Sequence, residues 1–164
     1  MKVINIHSRV ISQPKSSIEK LFRTLASAND LLLATDKWSP MQLDQGLQVG
    51  SKGGHGPIGY TVRKYIPDNL IEFEFTKPAG FHGIHKFEIR AMGPDATLMS
   101  HTIDMQTRGA ATFLWLFAIR WLHDAYIEDA FDKVENHFSE AKKQSQWSVW
   151  VKLLRKIGRA VSRK

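Results

Sequence analysis

The chain has 164 residues, a length that fits one domain able to bury about two-thirds of its unfolded surface without covalent cross-links. It has no cysteine, which excludes a disulfide framework, a thiolate nucleophile and a thiolate metal site. The net charge is +7, but residues 1–145 hold 17 basic and 16 acidic residues, whereas residues 146–164 hold six basic residues and no acidic one. The positive charge therefore belongs to the C-terminal segment, and the rest of the chain is not expected to bind a polyanion.

The N-terminal segment predicts a strand followed by helical structure. VINIHSRVIS alternates with period two and places Ile4, Ile6 and Val10 on one face. QPKSS breaks this pattern, and SIEKLFRTLA then has helical spacing, after which Asn29 and Asp30 could cap a second short helical turn. Since the start has no uninterrupted apolar segment, no secretory signal is predicted and we expect a cytoplasmic protein.

The central part of the chain has the pattern of antiparallel strands. After Trp38 and Pro40, a short segment MQLD and a glycine-rich connection VGSKGGHGPIG lead to longer segments with period-two alternation. These segments are YTVRKYIP, LIEFEFTKP, GIHKFEIRAM and ATLMSHTIDMQT. Pro-Asp-Asn, Pro-Ala-Gly and Gly-Pro-Asp separate them and suit tight turns. The sequence therefore predicts a meander of about five strands.

A single long helix is predicted after these strands. Between Gly109 and about Lys143 there is no proline and no internal glycine, and apolar residues recur at helical spacing. The longest apolar run, GAATFLWLFAI, is shorter than the roughly 18 residues that a membrane-spanning helix needs. No membrane span is therefore predicted.

Several segments together carry a resemblance to a known superfamily. They are INIHSRVISQPKSSIEKLF, Trp38, VGSKGGHGPIGYTVRKYIPDNLIEFEF, GIHKFEI and the final long helix. In these segments the chain resembles the START-like or SRPBCC superfamily, which includes the polyketide cyclase/dehydrase group. The resemblance implies an α+β helix-grip fold over residues 1–144, in which a curved antiparallel sheet wraps around the long helix. It also implies a cavity for a hydrophobic ligand such as a lipid, sterol, quinone or polyketide.

Strand alternation predicts which side chains face this cavity. The concave face is expected to be mainly apolar, and Ile66 is one of the apolar residues predicted to lie on it. The candidate ligand-binding residues of the strands are Tyr60, Phe73, Phe75, His85, Phe87, Met99 and His101. An ordinary filled core would use the same residues, so both interpretations stay open at this point.

The long helix adds three candidate ligand-binding residues, Phe113, Arg120 and Asp124. A step of 100° per residue places them on one predominantly apolar face, where Arg120 and Asp124 lie four positions apart and can pair. The functional interpretation is a polar anchor inside the cavity, with Arg120 meeting an acidic or carbonyl group of a ligand. The alternatives are that the apolar face is slightly rotated or that the pair is structural.

Histidines raise the question of catalysis and of metal binding. His85 and His101 could act as general acid or base in an aldol-type cyclisation or dehydration. The alternative function is therefore a cyclase/dehydratase enzyme that uses Arg120, Asp124, His85 or His101. More commonly, a lone histidine on a strand face is a hydrogen-bonded core residue. His82 and His85 point to opposite faces of a strand, so no metal site and no cofactor are predicted. The glycine-rich connection is predicted to be a mobile loop at the cavity mouth.

The final segment, residues 145–164, is predicted to form an additional basic amphipathic helix. Its tryptophans and aliphatic residues fall on one side and its cations on the other, the pattern of a helix that lies on an anionic membrane surface. The candidate membrane-binding residues are Trp147, Trp150, Lys152, Leu154, Arg155, Lys156 and Arg159, and Arg163 continues the basic side.

A competing explanation for this tail is packing within the protein. The long helix has a second apolar side, formed by Trp115, Ile119, Leu122 and Tyr126, that something must cover. The tail could cover it, a homodimer could cover it, or both surfaces together could face a membrane. No specific nucleic-acid partner is expected, because no motif for base recognition is present. The sequence thus favours a binder of a hydrophobic small molecule and leaves open whether its tail contacts a membrane, its own domain or a second subunit.

Overall fold

The computed structural model describes residues 1–161. Its strands are β1 (Lys2–Ile11), β2 (Gln42–Leu43), β3 (Lys52–His55), β4 (Ile58–Ile66), β5 (Leu70–Lys77), β6 (Phe81–Gly93) and β7 (Ala96–Thr107). In this part of the chain they form one antiparallel sheet in the order β1-β7-β6-β5-β4-β3-β2. The predicted meander therefore runs from β2 to β7, and β1 pairs with β7 at the far edge.

Four α-helices accompany the sheet in the described range. They are α1 (Lys15–Phe22), α2 (Ala110–Leu114), α3 (Arg120–Phe138) and α4 (Val149–Val161). A π-helical turn (Trp115–Ile119) joins α2 to α3, so that the three pieces form one continuous helix of 29 residues, here called the long helix. The predicted α+β architecture of a curved sheet around a long helix, with a further C-terminal helix, is confirmed. Arg163 lies outside the described residues.

The main hydrophobic core fills the space between the sheet and the long helix. Alternate residues of β4 to β7 are buried on the concave side, as the period-two pattern predicts. Phe22, Phe73, Phe87 and Phe131 are almost completely excluded from solvent. Helix α1 contributes Ile18, Leu21 and Phe22 to the same cluster. The candidate cavity is therefore part of a packed core.

The prediction that Ile66 faces the cavity is wrong. The pairing of β4 with β5 shifts between Val62 and Lys64, which indicates a β-bulge at Arg63. Beyond the bulge Tyr65, rather than Ile66, lies opposite the buried Ile71 and packs against the core. Ile66 is therefore exposed.

The alternation of β1 is correct, but its apolar face points outward. Ile4, Ile6 and Val10 are exposed, and the alternate residues of β1 face α3. Two of these inward residues, His7 and Arg9, contact carboxylates of α3. Between the buried Val3 and Ile11, the inward face of this edge strand is thus polar, because α3 supplies charged partners for it.

Two loop predictions also change. The second short helical turn does not form; instead the Asp30 carboxylate accepts hydrogen bonds from the backbone N–H groups of Leu32 and Leu33 in an irregular segment. The glycine-rich connection is not a free loop, because it contains β3, which pairs with both β2 and β4. A Cβ atom at Gly53 would lie 1.8 Å from the backbone oxygen of Gln42, so this close pairing requires glycine.

Candidate functional site

A cavity of about 170 Å³ lies between the concave face of the sheet and the long helix. Five of the ten candidate ligand-binding residues line it: Tyr60, Phe75, His85, Phe87 and His101. Phe73 and Met99 are buried in the core but do not contribute to the cavity wall. Strand alternation therefore located this side of the cavity.

The long helix presents a different face to the cavity from the one predicted. Its lining residues are Trp115, Ile119, Leu122, His123 and Tyr126, four of which were assigned to the opposite side. Phe113 is 65% exposed and the Arg120 side chain 53% exposed, so both point away from the cavity. Asp124 also lies outside the wall, where it accepts a hydrogen bond from Asn5. The proposed polar anchor is therefore wrong in location.

The physical reason is a rotation of the helix. The apolar residues of the segment fit more than one stripe, and the π-helical turn adds a residue to one turn, which rotates α2 relative to α3. Arg120 Nε lies 3.9 Å from Asp124 Oδ2, so the two residues do pair, but near β1 at the edge of the helix. The alternative of a rotated apolar face thus describes the structure.

Four histidines contribute to the cavity wall: His55, His85, His101 and His123. His85 Nδ1 and His101 Nε2 lie 3.2 Å apart, and the Tyr60 hydroxyl lies 2.8 Å from His55 Nε2. The remaining ring nitrogens of His85 and His101, and both ring nitrogens of His123, are buried without a hydrogen-bond partner. Burying a polar group unpaired costs about 1–3 kcal/mol, so these nitrogens mark places where a bound group could be recognised.

Burial keeps the cavity histidines uncharged. It lowers the pKa of His55 to about 4. Burial, together with repulsion from neighbouring histidines, also holds the pKa of His85 and of His101 well below the ordinary value. At neutral pH the wall therefore offers neutral imidazoles that each carry one donor and one acceptor.

Comparisons with known proteins were made at the levels of sequence and structure. No protein-family model matches the chain, and no curated protein matches it in sequence. Solved structures do match. Norcoclaurine synthase from Thalictrum flavum, in complex with dopamine and hydroxybenzaldehyde, superposes with a TM-score of 0.63 at 11% identity, over 86% of this chain and 90% of that chain.

Two further structures extend this likeness. A START superfamily protein from Mycobacterium smegmatis matches with a TM-score of 0.50 at 13% identity, over 82% of this chain and 95% of its own. CalU16 from Micromonospora echinospora matches with a TM-score of 0.57 at 11% identity, over 99% of this chain and 96% of its own. The chain has the START-like, or SRPBCC, helix-grip fold. At these identities the likeness shows the fold alone, so the START-like cavity must be interpreted from its own residues.

The START-like domain is closed at its β1 edge by a polar seam, here called the β1–α3 seam. Arg9 donates hydrogen bonds to Glu128, Asp132 and Glu135, at 2.6–2.7 Å. His7 contacts both Asp124 and Glu128 at 3.0 Å. Burial opposes the charged form of His7, but these carboxylates outweigh it and raise its pKa. The seam satisfies charged groups on an otherwise apolar interface.

The tail docks on its own START-like domain through part of its predicted membrane face. The Trp147 indole N–H donates to Asp129 Oδ2 at 2.8 Å, and the Arg155 guanidinium contacts the rings of both Trp147 and Trp38. Val151 is only 3% exposed, and Leu154 is half-buried. The assignment of Trp147 and Arg155 to a membrane-facing surface is therefore wrong in location, because both contact the domain.

Other tail residues do point outward. Lys152, Lys156 and Arg159 are exposed, and Trp150 is 41% exposed while its indole N–H donates to the backbone oxygen of Phe117 at 2.9 Å. None of the helices in residues 1–161 is both long and apolar enough to cross a membrane. The tail thus has a docked side, an exposed apolar side and an exposed basic side.

The residues of the site that sequence reasoning missed include two histidines and one tryptophan outside the ten candidates. His123 lies on the helix face that was assigned to the back, and His55 lies in a segment interpreted as a loop. Trp38 was noted only for the resemblance, yet it lines the cavity and contacts the tail. His55 could have been found, because it precedes the two-residue turn that leads into β4 and so faces the same side as Ile58.

Proposed function

We propose that the protein binds an uncharged hydrophobic small molecule in the cavity between its sheet and its long helix. The observation that carries this proposal is the composition of the cavity wall. It consists of apolar and aromatic side chains with a few histidine nitrogens that lack hydrogen-bond partners, and it contains no Lys, Arg, Asp or Glu. This is the pattern of sites that hold a small molecule by burial and orient it by a few polar contacts.

The volume of the cavity narrows the class of ligand. Pockets for drug-sized molecules are roughly 300–1,000 Å³, whereas an engineered apolar cavity of about 150 Å³ holds benzene. A cavity of about 170 Å³ therefore suits one ring or a short chain end. A whole lipid or sterol would need a wider cavity, so a quinone-like or polyketide-like ring is favoured. Norcoclaurine synthase, a neighbour in fold, holds dopamine and hydroxybenzaldehyde, which are single-ring compounds.

The His85–His101 pair specifies what polar group such a ring should carry. Either His85 Nδ1 donates to His101 Nε2, or the reverse. In both cases the two outer nitrogens, His85 Nε2 and His101 Nδ1, are left as one donor and one acceptor. A hydroxyl group both donates and accepts and can therefore satisfy both nitrogens, whereas a carbonyl group only accepts and can satisfy the N–H donor alone. A carboxylate would be buried without a cation.

Three ring-sized probes test this proposal: phenol, toluene and benzoate, with binding followed by ligand-detected NMR. Phenol should bind most tightly, toluene more weakly because it leaves the histidines unpaired, and benzoate most weakly because its charge is desolvated. Ile119→Trp should block binding by filling the cavity, whereas Ile6→Trp, at an exposed position on β1, should not.

A second variant tests the role of the histidine pair. His101→Leu should make phenol and toluene bind equally, and the control His82→Leu, at an exposed position, should preserve the difference. Equal binding of benzoate and phenol, or full phenol binding by the Ile119→Trp protein, would contradict the proposal.

The alternative of a cyclase/dehydratase enzyme receives less support. Two of its four candidate residues, Arg120 and Asp124, lie outside the cavity wall. The other two, His85 and His101, are inside, but their lowered pKa values make them weak bases and keep them unprotonated near neutral pH. We therefore favour binding over acid–base catalysis as the function of this site.

We further propose that residues 145–164 form a docked extension of the domain of residues 1–144 and complete a surface that contacts anionic membranes. This surface, here called the exposed apolar surface, combines side chains of the long helix and of α4. Its members are Phe113, Leu114, Phe117, Trp121, Val149, Trp150, Leu153 and Ile157. The hydrogen bond from Trp150 to Phe117 joins its two halves.

The distribution of charge supports an anionic membrane as the partner of this surface. No acidic residue occurs from Met105 to His123 or after Glu140, and α4 places Lys152, Lys156 and Arg159 beside its exposed apolar side. Each cation near an anionic leaflet contributes about 1 kcal/mol, in addition to the burial of the apolar side chains in the interface. A second copy of the same basic surface would be repelled.

Co-sedimentation with phosphatidylcholine vesicles, with or without phosphatidylglycerol and at low or high salt, tests this proposal. The protein should pellet only with the anionic vesicles, and less at high salt. Phe117→Glu and Leu153→Glu should each abolish pelleting, whereas Ile6→Glu, an exposed aliphatic residue on β1, should not. Light scattering without lipid tests for self-association. A dimer that Phe117→Glu dissociates would overturn the proposal of membrane binding in favour of self-association.

A further inference from the structure

Three side chains of the β1–α3 seam bring metal-ligand atoms together. His7 is on β1, and His123 and Asp124 are on α3; one ligand atom of each lies within 4.8 Å of the others. His7 Nε2 lies 3.0 Å from Asp124 Oδ1, and His123 Nδ1 lies 3.5 Å from the same oxygen. Two ligands of a tetrahedral zinc ion at about 2.0–2.1 Å are separated by about 3.3 Å. The separations of both histidine nitrogens from Asp124 Oδ1 are thus close to those of a coordination sphere.

His123 supplies a second, independent observation. Both of its ring nitrogens are buried without a hydrogen-bond partner, and the contact with Asp124 is too long to count as one. An imidazole that is unpaired on both sides is unusual in a folded protein, because each unpaired buried group is costly. Apart from this long contact with Asp124, no described residue pairs with Nδ1 of this ring, whereas a metal ion would bind it directly.

The surroundings of His7 match those of a metal-bound histidine. Its second ring nitrogen, Nδ1, lies 3.0 Å from Glu128 Oε1, and Glu128 is itself held by Arg9. Histidines that bind metals commonly donate their other N–H to a carboxylate, which fixes the ring and its tautomer. Asn5 in turn donates a hydrogen bond to Asp124. Two of the three ligand side chains are therefore already oriented by neighbouring residues.

We propose that His7, His123 and Asp124 bind a divalent transition-metal ion, and that Glu128 orients His7. Two imidazoles and one carboxylate suit Zn²⁺ best among the common ions, although Co²⁺ or Fe²⁺ would accept the same donors. Three protein ligands leave a coordination position open. Because His123 also lines the cavity, an ion held here would lie at the edge of the proposed ligand site.

The alternative without a metal ion is a structural ion pair. In that case His7 is simply a protonated imidazole between Asp124 and Glu128, and His123 is a poorly satisfied core residue. The two interpretations differ in what they predict when metal is added. An ion pair has no reason to bind Co²⁺ or Zn²⁺ stoichiometrically, whereas the proposed site does.

The test is a titration of the untagged full-length chain with Co²⁺, followed by the visible ligand-field absorption, and then competition with Zn²⁺. We expect one ion per chain, displaced by Zn²⁺. His123→Ala and His7→Gln should each weaken binding by at least about tenfold, and Glu128→Gln by about 10- to 100-fold. His82→Ala, which removes an exposed histidine from β6, is the matched control and should bind as the unchanged protein does.

Circular dichroism shows which variants are folded. If His123→Ala is unfolded, the test of metal binding relies on His7→Gln and Glu128→Gln. Lack of saturable binding by the unchanged protein would overturn the proposal. So would binding of unchanged affinity in folded His7→Gln and Glu128→Gln proteins, because the ion would then be held elsewhere. Since the readout is metal binding alone, failure here leaves the cavity proposal intact, and a failure of phenol binding leaves this one intact.

Discussion

The guanidinium carbon of Arg155 lies 3.9 Å from the ring centroid of Trp38 and thereby joins the tail to the cavity wall. The Trp147 ring lies 4.2 Å from the same guanidinium carbon, and the two indole rings contact each other at an interplanar angle of 61°. A cation in contact with two indole rings gains electrostatic attraction from both, and partial burial strengthens it. Because Trp38 also lines the cavity, the docking of α4 and the shape of the cavity are physically linked.

Arg155→Ala should loosen α4 without unfolding the domain. Loss of a desolvated cation–π contact costs about 2 kcal/mol, which corresponds to a roughly 30-fold more frequent opening of the helix. Hydrogen exchange of the α4 amides measures this opening directly. Lys156→Ala is the control, because it removes the same charge from an exposed position of the same helix. Equal protection of α4 in both variants would show that the cation–π contacts do not hold the tail.

Asp129 should be a main determinant of stability where the tail meets the domain. Its side chain is fully buried and accepts hydrogen bonds from Lys37 Nζ, Trp38 Nε1 and Trp147 Nε1, at 2.7–2.8 Å. Asp129→Asn removes the charge and turns an amide N–H₂ group toward donors. We expect a loss of about 3 kcal/mol in the free energy of unfolding, measured by urea denaturation.

The control for Asp129 is Asp95→Asn, an exposed position in the turn between β6 and β7. It should change stability by no more than about 0.5 kcal/mol. If Asp129→Asn changed the free energy of unfolding as little as this control does, the three hydrogen bonds would make no net contribution to stability. The loss of stability in Trp147→Phe should lie between those of Asp129→Asn and Asp95→Asn, since this change removes one hydrogen-bond donor and keeps an aromatic ring.

Period-two patterns predicted which residues share a face of the sheet but not always which face is inside. In β6 and β7 the apolar members, with His85 and His101, are buried as expected. In β1 the apolar Ile6 is exposed and the polar Arg9 faces inward, because carboxylates of α3 lie opposite. Those carboxylates are about 120 positions away in the sequence, so a local pattern could not reveal this pairing.

The helical parts were predicted in extent better than in orientation. The long helix ends near the predicted residues, but its cavity face carries Trp115 and Tyr126 rather than Arg120. A helix that is apolar on much of its circumference leaves its rotation undetermined, and the π-helical turn shifts it further. Likewise, the tail divides into three sides rather than two, because Trp147 and Arg155 form an aromatic–cation contact that hydropathy does not encode.

Gly53→Ala should disrupt the pairing of β2 with β3. The added methyl group would lie 1.8 Å from the backbone oxygen of Gln42, so the strands must separate. Overpacking of this kind costs about 1–3 kcal/mol, and we expect the low end because β2 is a two-residue strand at the sheet edge. Thermal denaturation measures the cost. Gly93→Ala, where a methyl group meets no atom within 4 Å, should be nearly neutral; comparable losses at both positions would argue against a steric cause.

His55 should make the protein less stable as the pH falls from about 6.5 to about 4. Burial lowers the pKa of His55 from 6.5 to about 4 in the folded state, so in this range the unfolded chain binds the proton more readily. Its contribution to stability is therefore complete above the unfolded pKa and is lost progressively as the pH decreases. Between about pH 7 and about pH 5 we expect His55 alone to account for a loss of about 2 kcal/mol. His85 is buried with a lowered pKa as well and adds a loss of the same sign.

His55→Gln tests this assignment, because glutamine can still hydrogen-bond to the Tyr60 hydroxyl but does not titrate. Urea unfolding at about pH 7 and about pH 5 should show a smaller acid-induced loss in this variant than in the unchanged protein, by about 2 kcal/mol. The exposed His82→Gln serves as the control and should keep the full loss, because it leaves His55 and its contact with Tyr60 unchanged. If the acid-induced loss of stability is the same in His55→Gln as in the unchanged protein, other buried groups cause the pH sensitivity. If the unchanged protein loses no stability, the cavity admits enough water to solvate a charged His55.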